Sequence, residues 1–290
     1  MKNLFFCIFS LFSTLLFFCA PTTVQAQYFD VGLMGGVSWY EGDLSHSFDG
    51  TLKEMHPSFG LFARYNMTEQ LSLRANFLYA AVSGRDIHAS EPALRNRNLS
   101  FRSDIYEFGA QVEYNILGYQ PYALSIPFSP YVFVGIAGFK FNPQTYYNND
   151  WVDLQPLGTE GQGSGLPNRD DSKYSLIAMS VPFGVGVKYA LNDLWTLGAE
   201  MGFRATLTDY IDDASYTYVS RAELAAANGG LAAELGNKIN APTDTKRANA
   251  KTNDWYQFLG ITISYNFLDN GLVGARNRVR QRAGCRQARF

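Results

Sequence analysis

From residue 28 to residue 267 the chain repeats one pattern, in which apolar side chains occupy every second position and small, polar or charged ones lie between them. A period of two is that of a β-strand whose faces meet different surroundings. It is clearest in Ile177-Ala178-Met179-Ser180-Val181-Pro182-Phe183-Gly184-Val185-Gly186-Val187-Lys188-Tyr189, and it returns across Ala190 to Asp193 in Trp195 to Leu207. Strands of this length exceed the usual five or six residues of soluble sheets and match the roughly ten needed to cross a bilayer. Trp, Met, Phe and Val share one face, and Gly, Ser, Lys, Glu and Arg the other, as expected for lipid outside and water inside.

Eight segments carry the pattern. About Phe29 to Tyr40, Phe29, Val31, Leu33, Val37 and Trp39 are expected outward and Asp30, Gly32, Gly36 and Ser38 inward. Ser58 to Asn66 sends Phe59, Leu61, Ala63 and Tyr65 out and Arg64 in. Leu71 to Ser83 sends Leu71, Leu73, Phe77 and Tyr79 out and Arg74 and Asn76 in. Asp104 to Asn115 sets Tyr106, Phe108, Val112 and Tyr114 against Glu107, Gln111 and Glu113. Tyr131 to Phe141 is ambiguous, because Val132, Val134 and Ile136 suit lipid while Phe133 and Phe139 make the opposite face apolar too. Trp255 to Phe267, after the Ile177 hairpin, alternates Leu259, Ile261, Ile263 and Tyr265 with Gly260, Thr262, Ser264 and Asn266. The pattern predicts an all-β chain, an eight-stranded antiparallel transmembrane β-barrel, because only closure satisfies every backbone polar group in hydrocarbon.

Connection lengths orient it. Long segments, about 41–57, 84–103, 142–173 and 208–254, alternate with Met67 to Gln70, Gly118 to Phe128 and Ala190 to Asp193. Outer-membrane barrels have long external loops and short periplasmic turns. The expectation is therefore a bacterial outer-membrane location with both termini periplasmic. Gln155 to Asp171 reads as irregular, and Arg221 to Ala227 as a short helix interrupted by Gly229-Gly230.

Composition adds the compartment. Lys2, the apolar stretch Leu4 to Phe18 and the small-residue site Val24-Gln25-Ala26 read as a signal peptide over residues 1–26. A lipoprotein signal at Cys19 fits less well, since Phe18 stands where a small residue is wanted. The barrel is assigned to residues 27–267 and a basic periplasmic tail to residues 268–290. With Cys7 and Cys19 in the signal, Cys285 is left as an odd cysteine in an oxidising compartment, a free thiol or an intermolecular disulfide. Arg276, Arg278, Arg280, Arg282, Arg286 and Arg289 make the tail strongly cationic. It can touch anionic headgroups or dock an acidic partner, and Cys285 favours the partner. With 23 residues after Phe267, a peptidoglycan-binding module of the OmpA kind is not expected.

An eight-stranded barrel is just wide enough for its side chains to fill it. Arg64, Arg74, Lys188 and Arg204 against Glu107, Glu113 and Glu200 are expected to form an ion network that plugs the lumen. His46, His56 and His88 with Ser45, Ser47 or Ser90 and Asp43 or Asp86 would be the makings of a loop hydrolase, but without a nucleophile signature they read as ordinary loop residues. Asp209 to Asp213 reads as an acidic rim facing lipopolysaccharide through divalent ions, or as solvated, rather than a calcium loop. No enzyme activity, metal, cofactor or nucleic-acid partner is expected.

Three segments carry a resemblance: Tyr40-Glu41-Gly42-Asp43-Leu44, Phe203 through Asp213, and Lys251-Thr252-Asn253-Asp254-Trp255-Tyr256. With them, residues 27–267 resemble the PorG family of outer-membrane barrels. That resemblance implies a non-enzymatic component of the type IX secretion system, fixing the periplasmic ring of PorK lipoprotein and PorN to the outer membrane. The competing class is a general barrel of the OmpA or OmpW kind, serving envelope integrity, adhesion or small-solute passage.

Overall fold

The computed structural model describes residues 28–121 and 127–267. Eight long strands follow the alternating segments: β1 (Tyr28–Glu41), β2 (His56–Asn66), β3 (Leu71–Arg85), β4 (Ser100–Asn115), β5 (Phe128–Lys140), β8 (Ile177–Ala190), β9 (Trp195–Thr206) and β10 (Trp255–Phe267). All neighbours are antiparallel, in the order β3-β2-β1-β10-β9-β8-β5-β4, and β3 pairs with β4 to close the circle. The first and last strands meet along their whole length, from Phe29 opposite Phe267 to Glu41 opposite Trp255. The result is a closed eight-stranded antiparallel barrel without a free edge among these strands.

The faces follow the parity of the sequence. Leu33, Phe108 and Ile261 are 62%, 67% and 65% exposed on the outer wall, while Phe62, Leu78 and Phe258 lie buried inside. On β5 the ambiguity resolves through burial: Val132, Val134 and Ile136 face out, and Tyr131, Phe133 and Phe139 fill the interior. Aromatic rungs border the apolar band at both ends, with Trp195 against Tyr265 at the short-turn end and Phe183 against Trp255 at the long-loop end. Between Trp255 and Tyr265, ten residues rise ~33 Å along the strand, or about 25 Å along the axis of a barrel tilted by ~40°. That is the height of an outer-membrane apolar band. Among the described residues no helix is long and apolar enough to span a bilayer, which says nothing about strands.

The long connections are folded over the mouth. The first carries helix α1 (Phe48–Lys53), the second α2 (Pro92–Arg97), the third a hairpin of β6 (Pro143–Tyr147) and β7 (Asp150–Asp153), and the fourth α3 (Arg221–Asn228) and α4 (Gly230–Gly236). Helix α3 falls on the alanine-rich run that predicts it, whereas α4, which starts at the glycine break itself, adds a second helix that the sequence reading does not contain. β3 and β4 run past the expected ends, and β6 extends the sheet by pairing Gln144 with Arg102. The core rises from Met34, Phe62 and Leu78 in the lumen through Phe101, Ile105 and Tyr256 to Ile211, Leu235 and Ala248 in the loops. Trp39, expected on the lipid face, is only 9% exposed, because the α1 connection covers it in a small pocket with Leu44 and Thr51.

Candidate functional site

Two polar assemblies stand inside this frame, one in the lumen and one in the cap above it. In the lumen, Arg64, Arg74, Glu107, Glu113, Lys188, Glu200 and Arg204 are all buried. Glu113 gathers three cations: Lys188 Nζ is 2.5 Å from Oε2, Arg64 Nε 2.8 Å from the same oxygen, and Arg74 Nη1 3.3 Å from Oε1. The Arg64 contact is ionic rather than a formed hydrogen bond, since its Nε–H has no aligned acceptor. Arg74 also pairs with Glu200, which accepts a 2.8 Å hydrogen bond from the Tyr131 hydroxyl. Nearer the mouth, Glu107 accepts from Arg204 Nε at 3.3 Å, from the Tyr256 hydroxyl at 2.5 Å and from Asn76 at 3.2 Å. The seven residues thus divide into two groups, one around Glu113 and one around Glu107.

Asp30 belongs to the first group, 3.1 Å from Arg64 Nη1. Its inward parity was visible in the sequence, but its partner was not. Four acids, Asp30, Glu107, Glu113 and Glu200, then face four bases among the described strands. The guanidiniums of Arg64 and Arg74 also lie 4.8 and 4.4 Å from the Phe62 ring, and Lys188 Nζ is 4.5 Å from that of Tyr131. Gly186 makes room for Tyr131, because a Cβ there would stand 2.4 Å from the ring. Salt bridges and aromatic side chains together fill the bore.

The cap is built on a different principle. The Tyr40 hydroxyl lies 2.7 Å from Asp212 Oδ2 and 2.6 Å from Asp254 Oδ1. A phenol has one proton, so it can donate to only one carboxylate, and the other must itself be protonated and donate to the phenol oxygen. Burial pushes both carboxyls up, with their mutual proximity adding to the effect on Asp212. Their remaining oxygens accept backbone N–H groups, Asp254 from Ile211 at 2.9 Å and Asp212 from Ala214 at 2.9 Å. Gly42 is the floor of this cluster, since a Cβ there would lie 2.0 Å from the Tyr40 hydroxyl and 2.3 Å from Asp254.

Around it, Glu160 accepts from the backbone of Ser215 and Tyr216 at 3.0 Å and from Arg247 Nη1 at 2.6 Å. Asp213 takes hydrogen bonds from Thr159 at 2.5 Å and from Tyr174 at 2.6 Å, and burial pushes it up to about 6. Burial, with Asp43 and Glu160 nearby, pushes Asp209 up to about 7. Asp209 to Asp213 is therefore no solvated rim: Asp209, Asp212 and Asp213 are buried, because the fourth connection folds inward over the mouth. Arg97 ties three connections together, bonding Asp86 at 2.7 Å, the Arg247 carbonyl at 2.6 Å and the Asp43 carbonyl at 3.0 Å. Arg97 ends the short helix α2 and Arg247 lies in the fourth connection, both outside the alternating strands, so no sequence signal marks them.

The histidines are not free loop residues. His46 Nε2 is 2.9 Å from Asp86, His88 Nε2 is 3.1 Å from Glu54, and His56 Nε2 is 2.8 Å from Ser83 Oγ. Ser47 caps α1 by accepting from Gly50 N at 3.1 Å, and Ser45 Oγ lies 3.4 Å from Thr51. Ser83, on β3 rather than in the first two loops, donates to Glu54. That direction leaves His56 Nε2 as the donor to Ser83, the wrong tautomer for a base. No three His, Cys, Asp or Glu side chains form a metal-binding group among the described residues. The tail residues Arg276, Arg278, Arg280, Arg282, Cys285, Arg286 and Arg289 lie outside the described residues, as does the signal segment 1–26.

No curated protein matches the chain. Similar solved structures include Ail, the attachment invasion locus protein of Yersinia pestis, at 10% identity and TM-score 0.41 over 84% of this chain and 100% of that one. Neisserial surface protein A is 11% identical at TM-score 0.40 over 83% and 99%, and the outer membrane protein OprG from Pseudomonas aeruginosa 10% at TM-score 0.40 over 83% and 97%. A family model, DUF6089, described as a domain of unknown function, matches residues 9–228, and the chain belongs to that family.

Proposed function

We propose that this member of the DUF6089 family is a non-enzymatic outer-membrane barrel, closed to solutes, that anchors a type IX secretion apparatus by docking a periplasmic ring of PorK-like and PorN-like subunits. The observation that carries the reading is the meeting point of the three segments behind the PorG resemblance. Tyr40, Asp212 and Asp254, one from each, share a single buried hydrogen-bonded cluster. Segments far apart in the chain that build one structural unit are what a family likeness predicts, and chance matches need not meet. The apolar band and its aromatic borders support the membrane location, and the pattern of long and short connections supports periplasmic termini.

Contact with the ring falls to the short turns and to the tail bearing Arg276 to Arg289 and Cys285. Deleting Gly271 to Phe290 tests it. The barrel should keep its heat-modifiable migration on gels while ring co-purification and secretion are lost; a truncated protein that retains both sinks the reading. A Cys285→Ser variant on non-reducing gels, run beside wild type, separates a covalent link from a non-covalent one.

A second reading, adhesion or envelope integrity in the OmpA or OmpW manner, draws support from the large folded cap. It predicts that loop deletions, not tail deletion, abolish activity. Small-solute passage fits poorly with a bore filled by buried ion pairs.

A further inference from the structure

On the outer wall of β3 and β4 the surface changes character over a few rungs. Phe77 and Phe108 stand opposite each other in the apolar band, Tyr79 and Tyr106 above them with rings 5.3 Å apart, then Ala81 opposite Asp104, Ser83 opposite Arg102 and Arg85 opposite Ser100. From Tyr106 to Arg102 is four residues, or ~13 Å along the strand, which is headgroup depth beyond an interfacial aromatic rung. A cavity of about 490 Å³ opens at this level. Arg85, Arg102 and His56 line it on the charged side and Ile87, Tyr146 and Trp151 on the apolar side, and no acidic side chain lines it.

The two arginines keep capacity for a ligand. Arg85 has Glu54 at 3.4 Å and Arg102 has Asp104 at 3.5 Å, both loose contacts to guanidiniums that are 56% and 40% exposed. Each pair engages one edge of a fork with five N–H donors. Arg102 is also held by the Trp151 ring, 5.7 Å away, which fixes the direction of the fork. Tyr146 and Trp151 stand edge to face at 5.4 Å on the β6–β7 hairpin, presenting aromatic surface to the cavity. Two guanidiniums fit a phosphate, aromatic faces fit the apolar faces of a sugar, and the band below fits acyl chains.

We propose that this cavity is a binding site for a phosphorylated glycolipid of the outer leaflet, with phosphate on Arg85 and Arg102, sugar against Tyr146 and Trp151, and acyl chains along Phe77 and Phe108. The proposal rests on the outer-membrane reading. It adds a defined lipid site to that reading. Native mass spectrometry of the full chain in neutral detergent tests it, with a bisphosphorylated acylated glucosamine disaccharide, its dephosphorylated counterpart and inorganic phosphate as probes. The bisphosphorylated lipid should be retained at least fivefold more than the dephosphorylated one. Retention should fall at least fivefold in the double variant Arg85→Gln/Arg102→Gln and in Trp151→Ala, and by less than twofold in Arg221→Gln. Heat-modifiable migration verifies that each variant is folded. Smaller losses in the double variant, equal retention of the dephosphorylated lipid, or full displacement by millimolar inorganic phosphate each overturn the lipid site, the last by assigning it to free phosphate. Because the assay runs in detergent, failure to insert into vesicles would count against the membrane reading alone.

Discussion

The lumen and the cap solve the burial of charge in opposite ways. Below the mouth, four acids among the described residues face four bases at contact distance, so each charge has a counter-charge beside it. Above it, among the described residues, seven buried carboxyls, Glu54, Asp86, Glu160, Asp209, Asp212, Asp213 and Asp254, stand with two buried guanidiniums, Arg97 and Arg247. The excess acid is accommodated by protons and by backbone N–H groups. Strands force side chains into a confined bore where an unpaired ion has no water, whereas loops bring their own N–H donors and can wrap a carboxyl.

The largest break in this contrast should come from Glu113→Ala. It leaves Lys188 without its acidic partner and takes one of two carboxylates from each of Arg64 and Arg74, and removal of one partner from a buried pair costs about 3–5 kcal/mol. Urea unfolding of the barrel in lipid vesicles measures it. Next comes Tyr40→Phe, which removes the phenol between Asp212 and Asp254 and leaves buried oxygens unpaired at about 1–3 kcal/mol. Most of that loss should appear as faster proteolysis of the fourth connection rather than as barrel unfolding. A double cycle with Asp254→Asn should reveal coupling of about 0.5–3 kcal/mol; strict additivity would mean the three groups do not act together.

The smallest effect sharpens the contrast most. Asp209 at about 7 and Asp213 at about 6 hold protons in the folded cap that the unfolded chain, with carboxyls near 3.9, would release. Their contribution is fully present below about pH 4 and is lost as pH rises through 6 and 7. Asp86 runs the other way: burial raises it, but hydrogen bonds from Arg97, His46 and Leu99 outweigh that and hold it below its ordinary value. Its contribution declines only as pH falls below about 4. Protection of the cap amides, taken relative to the intrinsic exchange rate at each pH, should therefore rise between pH 8 and pH 5, while protection of the barrel strands stays level. Asp209→Asn should flatten the cap profile, and an unchanged profile would remove Asp209 from the account.

Much of the barrel was legible from parity alone, because inward and outward faces alternate with each residue and do not depend on distant neighbours. All seven expected lumen charges are inward for that reason, and so is Asp30. Their grouping was not legible: whether Arg74 meets Glu107 or Glu200 depends on the stagger of strands across the bore. In β5 the parity was ambiguous, since Tyr131, Phe133 and Phe139 are as apolar as the lipid-facing valines and only their packing on the lumen network separates them. Trp39 obeyed parity and still ended buried, because a loop covered it. In the cap almost nothing was legible. Asp209 to Asp213 looks like solvated loop in sequence, and its partners Tyr40 and Asp254 are 172 and 42 residues from Asp212.

By itself the amino-acid sequence determined the strand count, the two chemical faces of most strands and the alternation of long and short connections, since each is written in local periodicity and spacing. The tertiary structure decided which charges meet across the bore and that the loops close into an acid-rich cap. It also decided that a cationic, aromatic cavity stands above the apolar band. Those outcomes depend on groups brought together from separate strands and loops, and pairing across space leaves no period along the chain.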